Sequence, residues 1–419
     1  MFSTTKPTQA IGDHGFDGLW INDPVHHRFL RNDAQRQLDF FRPMLRADGG
    51  FDVPDFAGTP LGHGPQELHT TTRMVHSFAL AKQFGHSGCD DVIDAGMAFL
   101  WNLHRDAKHG GYLAAINRDG TAANDMKLAY GHSFVLLAAS TAKAAGHADA
   151  DRLLSDVTDV LQSKFWEPAY GRFADEFRAD WTPFSTYRGL NANMHGVEAH
   201  LAAFEATNDA AYLDRAGRIL AFFFDDLAPM HGWRLPEHFT QEWLVDATYE
   251  GNPMFRPAGS TPGHSFELGR LLLQYWDLTG RADDGAPAKA RRVITQALSD
   301  ATRSDGGFVY TLEQGKVAKT DRYWWPVTEA IGAIAALQKL APNAADEATY
   351  RKLWAFADAH LIDHDRGGWF PELDNDGTPT SRQFLGKPDI YHAIQADLFP
   401  PVPALSRLSA PPLEPAKKS

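Results

Sequence analysis

The sequence has a single cysteine, too few basic residues to balance its acidic ones, and no long apolar run. The lone Cys89 excludes an intrachain disulfide and fits a reducing, cytoplasmic compartment. The formal net charge of −13 argues against nucleic acids and anionic membrane surfaces as partners. No segment is long and apolar enough to cross a bilayer, and the polar residues 1–12 lack the apolar stretch of a signal peptide.

A glycine-centred turn followed by an aromatic residue recurs along the chain. Four of the five intervals between its six copies are about 60 residues and one is about 75. About 60 residues hold two helices and their loops, so the repeat predicts six helical hairpins closed in a ring. The predicted fold is all-α, an (α/α)6 barrel with a central funnel for a small polar molecule. The six copies are Gly49-Gly50-Phe51, Gly110-Gly111-Tyr112, Gly171-Arg172-Phe173, Gly232-Trp233, Gly306-Gly307-Phe308 and Gly367-Gly368-Trp369.

Helical periodicity divides each interval into an inner and an outer helix. The last inner helix is predicted to begin at residue 390, and a helix within 13–45 is expected to close the ring beside it. We expect one catalytic domain over 13–409, an N-terminal extension 1–12 and a disordered tail 410–419, in a monomer or a homodimer. The predicted helix pairs are 69–84 with 90–104, 127–145 with 148–165, 194–207 with 210–224, 264–280 with 288–302, and 325–340 with 345–361.

Three histidines, His195, His264 and His392, stand at or near the starts of predicted inner helices. These helix ends should face one mouth of the barrel, where imidazoles exchange protons near neutral pH. The alternative is that they are ordinary surface or core residues, since the chain has 19 histidines. A zinc site is disfavoured because no His-Glu-x-x-His pair occurs and the three lie on different hairpins. We therefore expect no metal.

Two polar residues near these histidines could support them. Glu267 follows His264 by three residues, so both should share one helix face, where the carboxylate orients the imidazole. Asn191 precedes His195 by four residues and either binds a hydroxyl or caps the helix. The alternative for Glu267 is a routine helix charge.

Two further inner helices carry candidate site residues. Arg73 within 69–84, if buried, needs an anionic or carbonyl-like partner, which is either substrate or a structural salt bridge. Trp324 and Trp325 could wall a sugar site, and Glu329 could contact a histidine. Core aromatics with a carboxylate near the helix start are the alternative.

Several of these segments resemble the N-acylglucosamine 2-epimerase superfamily, and within it the aldose–ketose isomerases. The resemblance covers about residues 15–400 and implies an (α/α)6 barrel that isomerises an aldose at C1 and C2 without a cofactor. The segments are Asn193-Met194-His195, Pro262-Gly263-His264 with Glu267, Trp324-Trp325 with Glu329, and Lys387-Pro388-Asp389-Ile390-Tyr391-His392.

The resemblance also implies a role for each candidate. His264 and His392 correspond to the acid/base pair, and His195 to the histidine that helps ring opening or holds the sugar. Arg73 corresponds to the arginine that binds substrate oxygens. The remaining positions bind sugar or support the site, and they are Tyr130, Asn191, Glu267, Trp324 and Glu329.

The leading hypothesis is interconversion of D-mannose and D-fructose, with D-lyxose and D-xylulose as further substrates. A sulfoquinovose isomerase would need a cation for the sulfonate, which Arg256 could supply and which Glu372 and Asp374 on the rim would disfavour. A sugar 2-epimerase of the N-acylglucosamine or cellobiose type shares the intermediate. A glycoside hydrolase would use two carboxylates from Glu198, Glu267 and Glu329. A non-catalytic sugar-binding or protein-interaction role is the remaining class.

Overall fold

A computed structural model describes residues 10–252 and 255–405. The predicted tail 410–419 lies outside these residues, whereas Ile11 of the predicted extension is buried in the core. The α-helices are, in chain order, α1 (Pro24–Phe41), α2 (Leu68–Gln83), α3 (Asp90–Phe99), α4 (Ala129–Ala144), α5 (Ala150–Val160), α6 (Leu190–Thr207), α7 (Ala210–Ala221), α8 (Ala228–Met230), α9 (Pro262–Leu278), α10 (Ala286–Ala301), α11 (Trp324–Leu340), α12 (Ala344–Phe356) and α13 (Tyr391–Leu398).

The inner helices form a closed ring. Helices α2, α4, α6, α9, α11 and α13 each pack against the next, and α13 packs back against α2. Each inner helix from α2 to α11 carries the outer helix that follows it in sequence, and α1 covers α13. The inner helices are buried on nearly every side, as expected for helices enclosed by a second layer. The structure therefore confirms the predicted (α/α)6 barrel, including its closure by the first helix.

Short antiparallel strands lie in the connections that lead from an outer helix to the next inner helix. These connections gather at the end of the barrel where the inner helices begin, which we call the mouth. The strands are β1 (Gln66–Glu67), β2 (Ala115–Ile116), β3 (Ala122–Asn124), β4 (Lys127–Leu128), β5 (Trp166–Glu167), β6 (Arg172–Phe173), β7 (Glu176–Phe177), β8 (Arg188–Gly189), β9 (His238–Phe239), β10 (Thr311–Glu313), β11 (Lys316–Lys319), β12 (Arg322–Tyr323) and β13 (Glu372–Leu373).

The glycine–aromatic turn is anchored, in three of its six copies, by a side chain beside or within the next inner helix. In these copies the aromatic residue is buried, and its backbone N–H donates to that side chain. At the second copy, Gly111 has φ of 71°, a left-handed conformation that favours glycine. The three bonds are Phe51 N to Gln66 Oε1 (2.7 Å), Tyr112 N to His132 Nε2 (2.9 Å) and Phe173 N to Asn193 Oδ1 (2.8 Å).

Buried polar contacts join the first helix to the last. The Gln37 amide on α1 donates to Asp397 on α13 at 2.6 Å and to Asp33 at 3.2 Å. The Trp369 indole also donates to Asp33, at 2.8 Å. These contacts link residues more than 300 positions apart and close the ring. Among the described residues, no helix has the length and apolar character needed to cross a membrane.

Candidate active site

The three predicted histidines lie near the mouth, on the first two turns of three inner helices. His264 is on the first turn of α9 and His392 on the first turn of α13, whereas His195 is on the second turn of α6 because that helix begins four residues earlier than predicted. His264 and His392 both pack against the indole of Trp325, with ring centroids 5.1 and 5.8 Å away. The two imidazoles predicted to act as a pair therefore share one aromatic neighbour.

Gly263 allows this arrangement. A Cβ at this position would lie 2.2 Å from the Trp325 ring, so any larger residue would push the indole away from the start of α9. The Pro-Gly-His sequence is thus explained both by the start of the helix and by the space that Trp325 needs. Proline begins the helix, and glycine leaves room for the ring beside His264.

His264 is held by a carboxylate that the sequence did not predict. Its Nδ1 lies 3.0 and 2.9 Å from the two oxygens of Glu237, in the long connection before α9. The expected contact between Glu267 and His264 was wrong. Glu267 is fully buried and lies toward His195, whose Nδ1 is 3.5 Å from its Oε1.

His392 contacts Glu329, as its sequence position suggested. Its Nδ1 lies 2.9 Å from Glu329 Oε1, and Arg270 approaches the other oxygen at 3.2 Å. Burial raises the pKa of Glu329, but Arg270 and His392 more than offset it, so the pKa lies below its ordinary value. The carboxylate behind His392 is therefore ionised and partly neutralised by a guanidinium.

His195 is enclosed by aromatic and acidic side chains. Its ring lies 4.6 Å from Phe134 and 5.3 Å from Tyr130, and its Nδ1 is 3.3 Å from Glu198. Burial lowers the pKa of His195 to about 4, although Glu198 acts in the opposite direction. This imidazole is therefore neutral near pH 7. The Tyr391 hydroxyl also donates to Glu198.

Arg73 is buried and makes the salt bridge that the sequence left open as an alternative. Its Nη1 donates to Asp389 at 2.6 Å and its Nη2 to the Tyr130 hydroxyl at 2.8 Å. The guanidinium lies against the rings of Phe134 and Tyr391, at 4.6 and 4.8 Å from their centroids. A fixed positive charge thus stands among the aromatic neighbours of His195.

The remaining predicted residues occupy different positions around the mouth. Tyr130 is half-buried beside Arg73, and Trp324 is buried with its ring 6.1 Å from that of His392. Asn191 lies in the first turn of α6, whose cap is Gly189, so it does not cap the helix. Its Oδ1 is buried and has no hydrogen-bond partner among the described residues, which leaves an acceptor available at this helix start.

Sequence reasoning missed Glu237, Arg270 and the part played by Trp325. Glu237 lies within the loop 236–263 that the sequence singled out, but nothing local distinguishes it from other acidic residues there. Arg270 lies three residues after Glu267 on α9, in a position that resembles an ordinary helix charge. The sequence offered Trp325 as a wall of a sugar site, but its contact with both histidines depends on how the helices pack.

Two groups of buried side chains have the donor atoms for a divalent cation. One is His195, Glu198 and Glu267, the other Glu267, Glu329 and His392, with ligand atoms within 4.8 Å of one another in each group. Arg270 lies against the second group and its charge also interacts with Glu198 and Glu267. The guanidinium thus already supplies positive charge to these carboxylates.

The charged residues weighed for an anionic substrate are engaged with one another. Arg256 Nη2 lies 3.0 Å from Glu176, and its guanidinium covers the Tyr187 ring at 4.4 Å. Glu372 is fully buried and Asp374 is partly exposed, and both pair with Arg382, at 3.1 and 3.3 Å. These acids therefore do not form the free negative rim that the sequence suggested.

Comparison with known proteins extends along almost the whole chain. The family model for N-acylglucosamine 2-epimerase (GlcNAc 2-epimerase) matches residues 49–396. A D-mannose isomerase from Thermobifida fusca is 38% identical over 400 residues, or 93% of this chain and 98% of that protein. A D-mannose isomerase from Pseudomonas cannabina pv. alisalensis is 38% identical over 409 residues, or 95% and 98% of the two proteins.

A solved structure shows the same architecture. The crystal structure of a D-mannose isomerase aligns with a TM-score of 0.83 at 29% identity, over 89% of this chain and 97% of that one. The family model covers most of the sequence, and the alignments include nearly the full length of each relative. These matches confirm the resemblance found in the sequence, and the chain belongs to the N-acylglucosamine 2-epimerase family.

Proposed function

We propose that this protein is an aldose–ketose isomerase that interconverts D-mannose and D-fructose by proton transfer between histidines and sugar. The observation that carries the proposal is the arrangement of three imidazoles, each with Nδ1 near a carboxylate, at one mouth of the barrel. A carboxylate at Nδ1 orients the ring and leaves Nε2 as the atom that exchanges a proton. The names of the relatives support D-mannose as the substrate.

The proposed reaction begins with the open-chain aldose. His264 or His392 removes the proton from C2, and the electrons shift to form an enediolate between C1 and C2. The negative charge on oxygen needs fixed donors, and Arg73 with Tyr130 provides a guanidinium and a hydroxyl near the site. A proton then moves from the C2 hydroxyl to the C1 oxygen, and return of the histidine's proton to C1 gives the ketose. His195, which is neutral near pH 7, holds the sugar or assists ring opening.

A sulfonated sugar is less well supported as substrate. The Arg256 guanidinium already contacts Glu176 and Tyr187, and a sulfonate would have to compete with that carboxylate. A hydrolase mechanism is also less well supported. The buried carboxylates Glu198 and Glu329 each contact a histidine at its Nδ1, which suits orienting an imidazole better than flanking a glycosidic bond.

A 2-epimerase is the second candidate because it shares the enediolate intermediate. Incubating the enzyme with D-mannose in D2O and identifying the products by NMR distinguishes the two reactions. We expect D-fructose labelled with deuterium at C1 and turnover that EDTA does not change. Glucose as the sole product would replace the isomerase proposal with the epimerase. Loss of activity with EDTA, restored by a divalent cation, would contradict the metal-free mechanism.

A panel of aldoses tests the choice of sugar. D-mannose, D-lyxose and sulfoquinovose are each assayed for ketose formation under the same conditions. We expect the highest kcat/KM with D-mannose and measurable conversion of D-lyxose to D-xylulose. Turnover of sulfoquinovose without turnover of D-mannose would overturn the substrate assignment while leaving the reaction type intact.

A further inference from the structure

Glu237 contacts the starts of two inner helices at once. Its backbone carbonyl accepts a hydrogen bond from Leu190 N, the first residue of α6, at 2.9 Å. Its side chain accepts from Thr261 N, at the cap of α9, at 3.0 Å. The same carboxylate holds His264 Nδ1 at 2.9 and 3.0 Å. One residue therefore joins the helix that carries His195 to the helix that carries His264.

The barrel repeat contains an equivalent residue, Asp175, that does only part of this work. Its carbonyl accepts from Ala129 N, the first residue of α4, at 2.8 Å. Its carboxylate accepts from Gly189 N, at the cap of α6, at 2.8 Å. The position three residues after that cap is Ala192, where α9 has His264. Asp175 thus caps the next inner helix and has no imidazole to hold.

We propose that Glu237 is a positioning residue, whose extra methylene relative to Asp175 lets one carboxylate cap α9 and also fix the ring of His264. The repeat supplies the capping role, and the longer side chain adds the contact with Nδ1. Because a carboxylate accepts only, it selects the tautomer with hydrogen on Nδ1 and leaves Nε2 free to take a proton. The inference rests on the proposed function, in which His264 exchanges a proton with the sugar.

The residues after Glu237 hold it in place. His238 contacts the Tyr187 hydroxyl through Nδ1 at 3.0 Å and the Pro257 carbonyl through Nε2 at 2.7 Å. Its ring stacks on Tyr249 at 4.2 Å. The long connection is therefore held immediately beside Glu237, so the backbone of Glu237 cannot move away from α9 without breaking these contacts.

The repeat suggests the variants for the test. Glu237→Asp should keep the cap on Thr261, as Asp175 does for Gly189, and lose the reach to His264. Glu237→Gln keeps the length and removes the charge. Asp175→Asn is the matched control, because it alters an equivalent cap that has no histidine behind it.

Two measurements are made on each variant. The first is kcat and KM for D-mannose, and the second is the tautomer of His264 by ¹⁵N NMR of histidine-labelled protein. We expect Glu237→Asp and Glu237→Gln to lower kcat at least about tenfold with KM changed less than about twofold. The His264 signals should move from the Nδ1–H tautomer toward a mixture. Asp175→Asn should leave the tautomer and kcat unchanged.

The NMR measurement separates this inference from the proposed function. A tautomer that shifts in the Glu237 variants supports the positioning role even if the wild type isomerises no sugar. An unchanged tautomer together with wild-type kcat in Glu237→Asp would overturn it, although the protein isomerised D-mannose. A fall in thermal stability common to all three variants, without a change at His264, would assign Glu237 a capping role alone and equally overturn it.

Discussion

Each histidine at the mouth has a carboxylate at Nδ1, but the three carboxylates have different surroundings. Glu237 is bound by a backbone amide, Glu329 by Arg270, and Glu198 by the Tyr391 hydroxyl. A guanidinium withdraws more of the carboxylate's charge than an amide or a hydroxyl does. The three imidazoles therefore face carboxylates of different effective charge, although the geometry at Nδ1 is similar. Such a difference suits groups that perform different steps of one reaction.

Replacing either member of the proposed acid/base pair should lower turnover strongly without unfolding the protein. We expect His264→Asn and His392→Asn each to lower kcat by about 10²–10⁴-fold, the usual contribution of a positioned acid or base. Their circular dichroism and thermal unfolding should remain close to wild type. His200→Asn is the matched control, since this histidine lies on α6 and its Nδ1 contacts a backbone carbonyl. Retention of wild-type kcat in both His264→Asn and His392→Asn would contradict the proposed roles.

The sequence singled out the candidate residues that lie in short motifs and missed those whose contacts depend on packing. His264 and His392 stand out because each lies in the first turn of an inner helix, next to a proline-containing segment. Glu237 could not, because it lies 27 residues from His264 and reaches it only once the long connection has folded back. Glu267 was assigned to His264 from helical spacing, yet a shared helix face does not decide which neighbouring helix the side chain meets.

At the scale of the element, an ion pair recurs in the connections at the mouth. A basic residue just before an inner helix pairs with an acid that follows an outer helix. The connections before α2 and α9 depart from this pattern, since Gln66 and Ser260 occupy the basic position. The second of these is the long connection that holds Glu237. The pairs are Lys127 with Asp106, Arg188 with Glu167, Arg322 with Asp305 and Lys387 with Asp363.

His132 and Asn193 are equivalent residues of successive repeats with the same contacts. His132 Nδ1 lies 2.7 Å from the Leu128 carbonyl, and its Nε2 accepts from Tyr112 N. Asn193 Nδ2 donates to the Gly189 carbonyl at 3.0 Å, and its Oδ1 accepts from Phe173 N. Burial lowers the pKa of His132 to about 3. The neutral ring is needed because a protonated Nε2 could no longer accept.

His132→Asn should therefore make the protein more resistant to acid. The pKa of His132 is lower in the folded protein than in the unfolded chain, where it is about 6.5. As the pH falls below about 6.5, the unfolded chain takes up the proton first, which lowers the stability of the folded protein. The cost grows by up to about 1.4 kcal/mol for each pH unit down to about 3. Urea unfolding at pH 7.5 and at pH 5 measures it. We expect similar stability at pH 7.5 and a variant advantage at pH 5, and equal losses in both proteins would contradict the prediction.

At the scale of the whole molecule, the ring is closed by buried acids. Asp397 on α13 and Asp33 on α1 lie against one another, and Gln37 donates to both. Burial raises the pKa of both carboxyls, and the charge of Asp33 adds to the shift at Asp397. The junction is therefore most favourable when Asp397 keeps its proton.

Asp397→Asn should stabilise the protein at neutral pH. The pKa of Asp397 is higher in the folded protein than in the unfolded chain, where it is about 3.8. As the pH rises above about 3.8, the unfolded chain loses this proton first, so the folded protein loses stability until the folded-state pKa is reached. An amide can still accept from Gln37 and donate to Asp33, without that loss. We expect a gain of at least about 1 kcal/mol in unfolding free energy at pH 7.5, shrinking toward pH 4.5. A gain that is independent of pH, or a loss at pH 7.5, would show that ionisation of Asp397 does not limit the ring closure.

The ring itself could be predicted because its signal is repeated. Six copies of one turn predict six hairpins. The last inner helix has no outer partner after it in the sequence, so the helix within 13–45 was expected to cover it and close the ring. The exact residues at which the helices begin were harder to predict from the sequence. Helix α6 begins at Leu190 because β8 ends at Gly189, and a strand pairing formed with β9 cannot be read from local periodicity.

The closing contact has a consequence for how the protein is made. Gln37 and Asp397 are separated by 360 residues, and α13 also carries His392. A ribosome delivers α13 after the other ring helices, so until then the earlier hairpins can stack only into an open arc. Catalytic competence should arise abruptly once α13 has been synthesised, rather than accumulating with chain length.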